Sequence, residues 1–329
     1  MKYWTYLFAL LGLAVTTGLV LHQGLGDVMG VLGKAGWPLL WLVPLHVLPM
    51  LCDTLTWSIL LKPNDPHGRA DFGWLYWVVS VREAIGRLLP LTNLAGDVAG
   101  VHLARQRLPT GPVVASVIGE IFTTVCNQYI FSLVGALLLI SITGTLEEMR
   151  TLMLGLLFSL PIPILFGLTL HFGAVFRRME DILKRMLGEQ ISSIISGRTL
   201  DREMRAVFAR TGRLIAAMFS QLLGFALSAL ETWLALYLLG HPVSLEAAVA
   251  LEAVTLAIRN LIFFIPGSLG VQEAGLMLFG HMLGIDNGTA LSLSLAKRAR
   301  EVIYSAPFLL WWQWHEAQRL RTLRAREGT

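Results

Sequence analysis

The sequence predicts an all-α, polytopic integral membrane protein with about six transmembrane helices and two re-entrant (broken) helical hairpins in an inverted repeat. Three observations support this fold class. Hydrophobic residues make up 55% of the 329-residue chain and charged residues only 15%, against about 25% charged residues in soluble proteins. Successive apolar stretches are roughly 20 residues long, enough to cross a hydrocarbon core of about 30 Å. Two further segments each contain a helix, a Pro/Gly break and a second helix, and their motifs match.

The apolar stretches define six predicted spans and two hairpins. The spans are residues 3–22, 36–61, 112–142, 151–175, 213–239 and 289–314. The hairpins, 72–104 and 244–284, follow the second and the fifth span. The second arm of the first hairpin, 92–104, is too short and polar for lipid contact, and non-helical backbone at membrane depth needs surrounding protein or a wet cavity. We therefore expect both hairpins to be re-entrant.

Basic residues predict the orientation of the chain. Segment 176–213 contains nine Lys/Arg residues, and the tail 317–329 contains four. Because Lys and Arg concentrate on the cytoplasmic side of membrane proteins, we expect both segments and both termini to be cytoplasmic, in a bacterial inner membrane. The net charge of +4 follows from this distribution and does not indicate a nucleic-acid partner.

The two hairpins carry matching motifs. In each, an acidic residue follows a proline by seven residues, and a Thr-Trp pair precedes that proline with the tryptophan 33 residues before it. The two sets are Thr56-Trp57, Pro90 and Asp97, and Thr232-Trp233, Pro266 and Glu273. Because the second span runs inward and the fifth outward, the match predicts two inverted halves, 1–143 and 144–316, before the tail. Inverted repeats with broken helices are typical of secondary transporters.

Many ionisable residues lie inside the apolar segments, where each costs at least about 2.5–3.5 kcal/mol at the bilayer centre unless it has a partner or a wet cavity. Spacing predicts that Glu83 pairs with Arg87 and Glu252 with Arg259. The arginines, with helix N-termini freed at the prolines, are expected to form a positively biased cavity for a phosphate-bearing headgroup. The predicted substrate contacts are Arg82, Arg87, Pro90, Thr92, Asn93, Arg259, Pro266, Gly267, Ser268, Gly270, Arg298 and Arg300. The predicted proton- or ion-coupling residues are Asp97, Glu120, Glu273 and Glu301.

The sequence contains no pattern that indicates metal binding, nucleotide binding or disulfide bonds. The histidines lack metal-ligand spacing, and there is no phosphate-binding loop. The two cysteines, Cys52 and Cys126, both lie in apolar spans and do not indicate a disulfide framework. We therefore expect no metal, no cofactor, no catalytic residue and no ATP-driven transport.

Two motifs resemble a known family. The stretch 264–275, FIPGSLGVQEAG, is similar to the PGGLGxxE signature of the lysylphosphatidylglycerol synthase transmembrane family, and 89–97, LPLTNLAGD, to that family's other short motif. The resemblance covers nearly the whole chain and is nearest to the hopanoid-biosynthesis-associated membrane proteins. It implies an integral membrane domain that flips or transports lipids. Larger members add a soluble aminoacyl-transferase domain, and since the chain ends about 15 residues after the last predicted span, we do not expect their synthase activity.

The leading hypothesis is a flippase or transporter that moves a phospholipid or hopanoid by alternating access, with membrane lipids as its partners. One alternative is an intramembrane lipid-modifying transferase with Asp97 or Glu273 as general base. Another is a noncatalytic partner of lipid- or hopanoid-biosynthesis enzymes. A transferase alters lipid composition, whereas a carrier alters leaflet distribution.

Overall fold

The described part of the chain is α-helical. The computed structural model describes residues 36–89, 93–144, 150, 153–155, 157–158, 160–172, 174, 176–178, 196–261 and 271–327. These residues form α-helices and two short 3-10 turns, and they contain no strand, so the predicted all-α class is confirmed. The predicted first span, 3–22, lies outside the described residues, as do both hairpin breaks and parts of the span 151–175.

Ten α-helices can be given bounds. The first group is α1 (Leu42–Leu61), α2 (Phe72–Leu88), α3 (Asn93–Ala104), α4 (Thr110–Thr143) and α5 (Pro161–Phe172). The second group is α6 (Gly197–Ala209), α7 (Thr211–Leu238), α8 (Leu245–Leu261), α9 (Val271–Met282) and α10 (Asn287–Glu327). Helices α2 and α3 are the two arms of the first predicted hairpin, and α8 and α9 are those of the second.

Local sequence explains where these helices begin and end. The carboxylate of Asp71 caps α2 by accepting the backbone N–H of Trp74 at 3.1 Å. This bond favours the ionised form and lowers the pKa of Asp71, which lies outside the membrane-spanning segments. Helix α2 ends at Leu88. The next residue, Leu89, is extended with a φ of −95° and a ψ of 141°, because a residue that precedes a proline, here Pro90, disfavours the α conformation. Helix α4 is followed by Gly144, whose φ of 68° lies in the left-handed region that glycine adopts without steric cost.

Among the described residues, three helical segments are long and apolar enough to cross a membrane. They are Trp37–Asn64, Thr110–Thr143 and Thr211–Leu238, and they match the predicted spans 36–61, 112–142 and 213–239. The predicted span 289–314 lies within α10, which is continuous to Glu327 and therefore also contains much of the segment predicted as the tail 317–329. Helix α5 is a shorter apolar helix within the predicted span 151–175.

Large hydrophobic side chains cover much of the outer surface of the described helices. Trp37 is 84% exposed, Phe158 81% and Phe219 70%. Soluble monomers rarely expose contiguous apolar surface of this kind, whereas lipid solvates it without penalty. The exposed surface therefore agrees with the membrane environment that the composition predicts.

The long helices pack around a central pair. Helix α1 lies along α7, and each hairpin contacts a long helix from the other half of the chain. Helix α2 packs on α3 and also on α10, while α8 packs on α9 and also on α4. The core between them contains fully buried Trp57, Leu139 and Leu293. This exchange of contacts brings polar residues of both halves together inside the bundle.

The described end of the basic segment 176–213 packs against the bundle. Helix α6 contacts α4 and α5 and buries Met204 and Val207. The carboxylate of Asp201 accepts the backbone N–H groups of Phe176 at 3.1 Å and Arg177 at 3.2 Å. Three arginines on the opposite side of α6 are exposed. They are Arg198, Arg202 and Arg205.

We expect Gly135→Ala to destabilise the protein, because α4 lies close to α8 at Gly135. A methyl group at this glycine would overlap the Cβ of Ala253 and would lie 3.3 Å from the carbonyl oxygen of Ala250. Overpacking of this kind costs about 1–3 kcal/mol. The measurement is the thermal unfolding midpoint of purified protein in detergent.

Gly212→Ala is the matched control, since Gly212 is also helical but a methyl group there meets nothing within 4 Å. Its midpoint should equal or exceed that of the wild type, because alanine favours helix by up to about 1 kcal/mol over glycine. Equal midpoints for the two variants would show that the α4–α8 contact is not close.

Candidate functional site

Arg82 joins the first hairpin to α4. Its Nη1 donates to Oε2 of Glu120 at 2.8 Å, and its Nη2 donates to Oδ1 of Asp97 at 2.7 Å. The guanidinium carbon also lies 4.9 Å from the ring centroid of Trp57, a favourable cation–π distance. One cation from α2 is thus held by carboxylates on α3 and α4. The structure brings together three residues that the sequence predicts separately for substrate contact and for coupling.

Two glycines on α3 make room for this arginine. A methyl group at Gly96 would meet the backbone carbonyl of Arg82, and one at Gly100 would meet its side-chain Cδ and Cγ. The Gly-x-x-x-Gly spacing places both glycines on one face of α3. Helix α3 can therefore approach α2 closely enough for Asp97 to reach the guanidinium.

Arg87 extends from α2 towards α10. Its Nε donates to Oε1 of Glu83 at 3.0 Å, so the predicted pair of Glu83 with Arg87 is confirmed. Its Nη1 lies 3.9 Å from Oε1 of Glu301, a longer ion-pair contact. Arg87 is therefore held on the side of α2 and is also within reach of α10.

A second arginine cluster joins α1, α7 and α10. Arg300 donates from Nη1 to Nε2 of His46 at 3.0 Å. Because a guanidinium has only donors, Nε2 accepts, and the Nδ1–H of His46 is left to donate to Oε2 of Glu231 at 3.2 Å. Nε of Arg300 also lies 2.7 Å from Oε1 of Glu231, although its N–H does not point at that oxygen and neither atom makes a hydrogen bond. Glu231 is only 1% exposed.

Lys297 connects α10 to α7 and α8. Its Nζ donates to Oε2 of Glu252 and to Oγ1 of Thr232 at 2.8 Å. The hydroxyl of Thr232 also lies 2.6 Å from Oε2 of Glu252. The predicted partner of Glu252 is Arg259, whose side chain lies outside the described part. The structure pairs Glu252 with Lys297, 45 residues later in the chain, because α10 packs against the bundle beside α7.

Two cavities lie among these clusters. The first cavity has a volume of about 200 Å³, and its lining includes Met50, Asp53, Arg82, Glu83, Arg87, Asp97 and Glu120. The second cavity has a volume of about 70 Å³, and its lining includes His46, Arg87, Glu231, Glu252, Thr255, Gln272, Lys297, Arg300 and Glu301. Arg87 lines both. In the second, the hydroxyl of Thr255 is buried and has no hydrogen-bond partner.

Acidic side chains outnumber basic ones in the described lining of the two cavities, whereas the side chain of Arg259 and the residues of both hairpin breaks lie outside the described part. Across both cavities the four basic side chains face seven carboxylates. The basic residues are Arg82, Arg87, Lys297 and Arg300. The physical reason is that an unpaired guanidinium or ammonium is unfavourable away from water, so each cation is accompanied by acids from neighbouring helices.

The other predicted substrate contacts differ in how the structure places them. Arg298 is partly buried on α10 and does not belong to the lining of either cavity. Asn93, Arg259 and Glu273 lie on described helices, but their side chains are outside the described part, although Gln272, next to Glu273, lines the second cavity. The remaining predicted contacts lie wholly outside the described residues. They are Pro90, Thr92, Pro266, Gly267, Ser268 and Gly270.

The sequence prediction missed two residues on one face of α1. His46 and Asp53 are seven residues apart, and Met50 lies between them at helical spacing. His46 lines the second cavity, whereas Met50 and Asp53 line the first. The sequence contained a signal for Asp53, because an ionisable residue inside an apolar span is a candidate functional residue.

Membrane-crossing apolar helices around buried charged cavities define the class of the protein: it is an α-helical integral membrane protein with a polar interior. The family model for the lysylphosphatidylglycerol synthase TM region matches residues 9–307, and the chain belongs to this family. A search of curated proteins and a search of solved structures each found no match. The family relates the chain to lipid handling in membranes.

Proposed function

We propose that the protein is a lipid flippase or transporter, which moves a polar-headed phospholipid or hopanoid across the inner membrane by alternating access. The observation that carries the proposal is the pair of charged cavities among apolar helices, with Arg87 in the lining of both. Ionisable residues inside membrane proteins are expensive and mark substrate and ion pathways.

The order and packing of the helices support two related halves. A long helix, two short helices and a long helix follow one another as α1 to α4 and again as α7 to α10. Helix α4 begins 20 residues after Pro90, and α10 begins 21 residues after Pro266. The contact of α2 with α10 has its counterpart in the contact of α8 with α4. We infer an inverted repeat, an arrangement in which carriers bind their substrate between the halves.

The second cavity fits the phosphate of a headgroup. Arg300 and Lys297 come from one helix face and Arg87 from α2, and Arg and Lys are the usual partners of phosphate oxygens. The unpartnered hydroxyl of Thr255 adds a donor. In the absence of lipid, Glu231, Glu252 and Glu301 balance these cations, so that binding exchanges a carboxylate for a phosphate at one or more of them.

The orientation and cellular setting belong to the same proposal. The exposed arginines of α6 and the basic end of α10 support a cytoplasmic position for these segments, with both termini cytoplasmic, by the positive-inside rule. Lipid- or hopanoid-biosynthesis enzymes are the proposed protein partners, since they would supply the lipid to be moved.

Reconstitution in liposomes tests the proposal. The purified protein should accelerate the movement of fluorescent phospholipid analogues between leaflets, measured by quenching of the outer-leaflet label, compared with protein-free vesicles. Arg202→Gln is a suitable control because Arg202 is exposed on α6, and its rate should match the wild type. No acceleration by correctly inserted protein with several headgroups would contradict the proposal, and altered lipid masses would favour the transferase alternative.

A further inference from the structure

We propose that Asp53 is the proton-binding residue that couples lipid movement to the transmembrane proton gradient. This inference rests on the proposed transport function and assigns a role to a residue on α1 that no motif identifies. It differs from the prediction that Asp97 and Glu120 are the coupling residues, because both of those carboxylates are held by Arg82.

The first argument is the set of partners in the first cavity. Asp97 and Glu120 each accept from Arg82, and Glu83 accepts from Arg87. Among the residues that the structure describes, none forms a hydrogen bond or ion pair with Asp53. It is therefore the carboxylate of this cavity whose ionised form has no cation bound to it.

The second argument is the charge that surrounds Asp53. The first cavity contains four carboxyl groups and two guanidinium groups, so full ionisation would leave two surplus negative charges among its lining residues. Nearby like charges and burial both disfavour the ionised form of a carboxyl group. A proton on one carboxyl relieves part of this surplus, and it is held where no cation competes for the oxygen atoms.

The charged groups that face Asp53 lie on α2, α3 and α4. They are Arg82, Glu83 and Arg87 on α2, Asp97 on α3, and Glu120 on α4. Helix α7 presents Gly224, where an added Cβ would lie 3.8 Å from Oδ1 of Asp53. The other charged groups of α7 and α10 near α1, Glu231 and Arg300, are engaged with His46.

Arg87 provides the route from Asp53 to the lipid site. It lines both cavities, with Glu83 bound on one side and Glu301 at 3.9 Å on the other. Loss of the proton from Asp53 adds one negative charge to the first cavity and draws Arg87 towards it. Protonation releases Arg87 towards the second cavity, where it can bind phosphate. By linkage, phosphate binding then favours protonation of Asp53 to the same degree.

The test compares wild-type protein with Asp53→Asn in liposomes that hold a pH difference across the membrane. We expect the gradient to accelerate lipid movement by the wild type and to have no effect on Asp53→Asn, which cannot change charge. Glu246→Gln serves as the control, since Glu246 is an exposed acid in the first turn of α8, and it should respond like the wild type. An undiminished gradient response in Asp53→Asn would overturn the inference while leaving the transport function intact.

A second measurement needs neither transport nor a variant. Dicyclohexylcarbodiimide reacts with protonated carboxyl groups in apolar surroundings, and mass spectrometry of peptides locates the adduct. We expect the label on Asp53 in wild-type protein, with less labelling at alkaline pH. Labelling confined to Asp97 or Glu120 would overturn the inference. Labelling of Asp53 in a protein that moves no lipid would support proton binding and count against the proposed function alone.

Discussion

Replacing Arg82 with glutamine is expected to destabilise the protein by about 3–5 kcal/mol, the cost of removing one partner from a buried ion pair. The guanidinium joins α2 to Asp97 on α3 and to Glu120 on α4, and its loss leaves two carboxylates without their cation. The thermal unfolding midpoint in detergent should fall steeply, and lipid transport should be lost with it.

The double variant Arg82→Gln with Glu120→Gln separates charge from packing. It removes one of the two stranded carboxylates and should recover part of the lost stability, because neutral amides can hydrogen-bond each other. The exposed Arg202→Gln change on α6 should leave the midpoint within about 0.5 kcal/mol of the wild type. If Arg82→Gln were as stable as this surface variant, the ion pairs would have no structural role.

Replacing Arg300 with leucine should have an effect of similar size for a different reason. It leaves Glu231, which is 1% exposed, with only His46 as a partner. The uncompensated buried charge again costs about 3–5 kcal/mol. Unfolding midpoints measured over a range of pH should show the smallest deficit at low pH, where protonation neutralises the glutamate.

The double variant Arg300→Leu with Glu231→Leu tests function apart from stability. Replacing a buried ion pair by apolar residues is often neutral or stabilising, but His46 loses both of its partners, so the midpoint should lie between that of Arg300→Leu and that of the wild type. Transport should nevertheless be lost, because the second cavity then lacks Arg300, one of the three cations proposed to bind phosphate. A stable double variant with wild-type transport would exclude Arg300 from the headgroup site.

Features that depend on neighbouring residues could be predicted from the sequence. The end of α2 follows from the sequence because Leu89 precedes Pro90, and a residue before proline favours the extended conformation that Leu89 adopts. The pair of Glu83 with Arg87 follows from one helical turn of spacing. The hydrophobic spans 112–142 and 213–239 agree with α4 and α7 to within a few residues.

Contacts between distant helices could not be predicted in the same way. Glu252 meets Lys297, and His46 meets both Glu231 and Arg300, only because α10 and α1 pack beside α7. Their separations of 45 to 254 residues carry no periodic signal in a single sequence. The charge balance of the described cavity lining depends on these contacts.

Helix α10 connects the charged clusters to a distant part of the protein. It is continuous over 41 residues and contains Pro307, so it is about 60 Å long, twice the thickness of a hydrocarbon core. Lys297 and Arg300 lie on the arm before the proline, and the arm after it extends about 30 Å to Glu327. Because proline removes a backbone hydrogen bond, it is a natural pivot, and a bend of about 10° there displaces the far end by about 5 Å. An exchange of partners at Lys297 or Arg300 can thus be passed on as a displacement of the C-terminal end of α10.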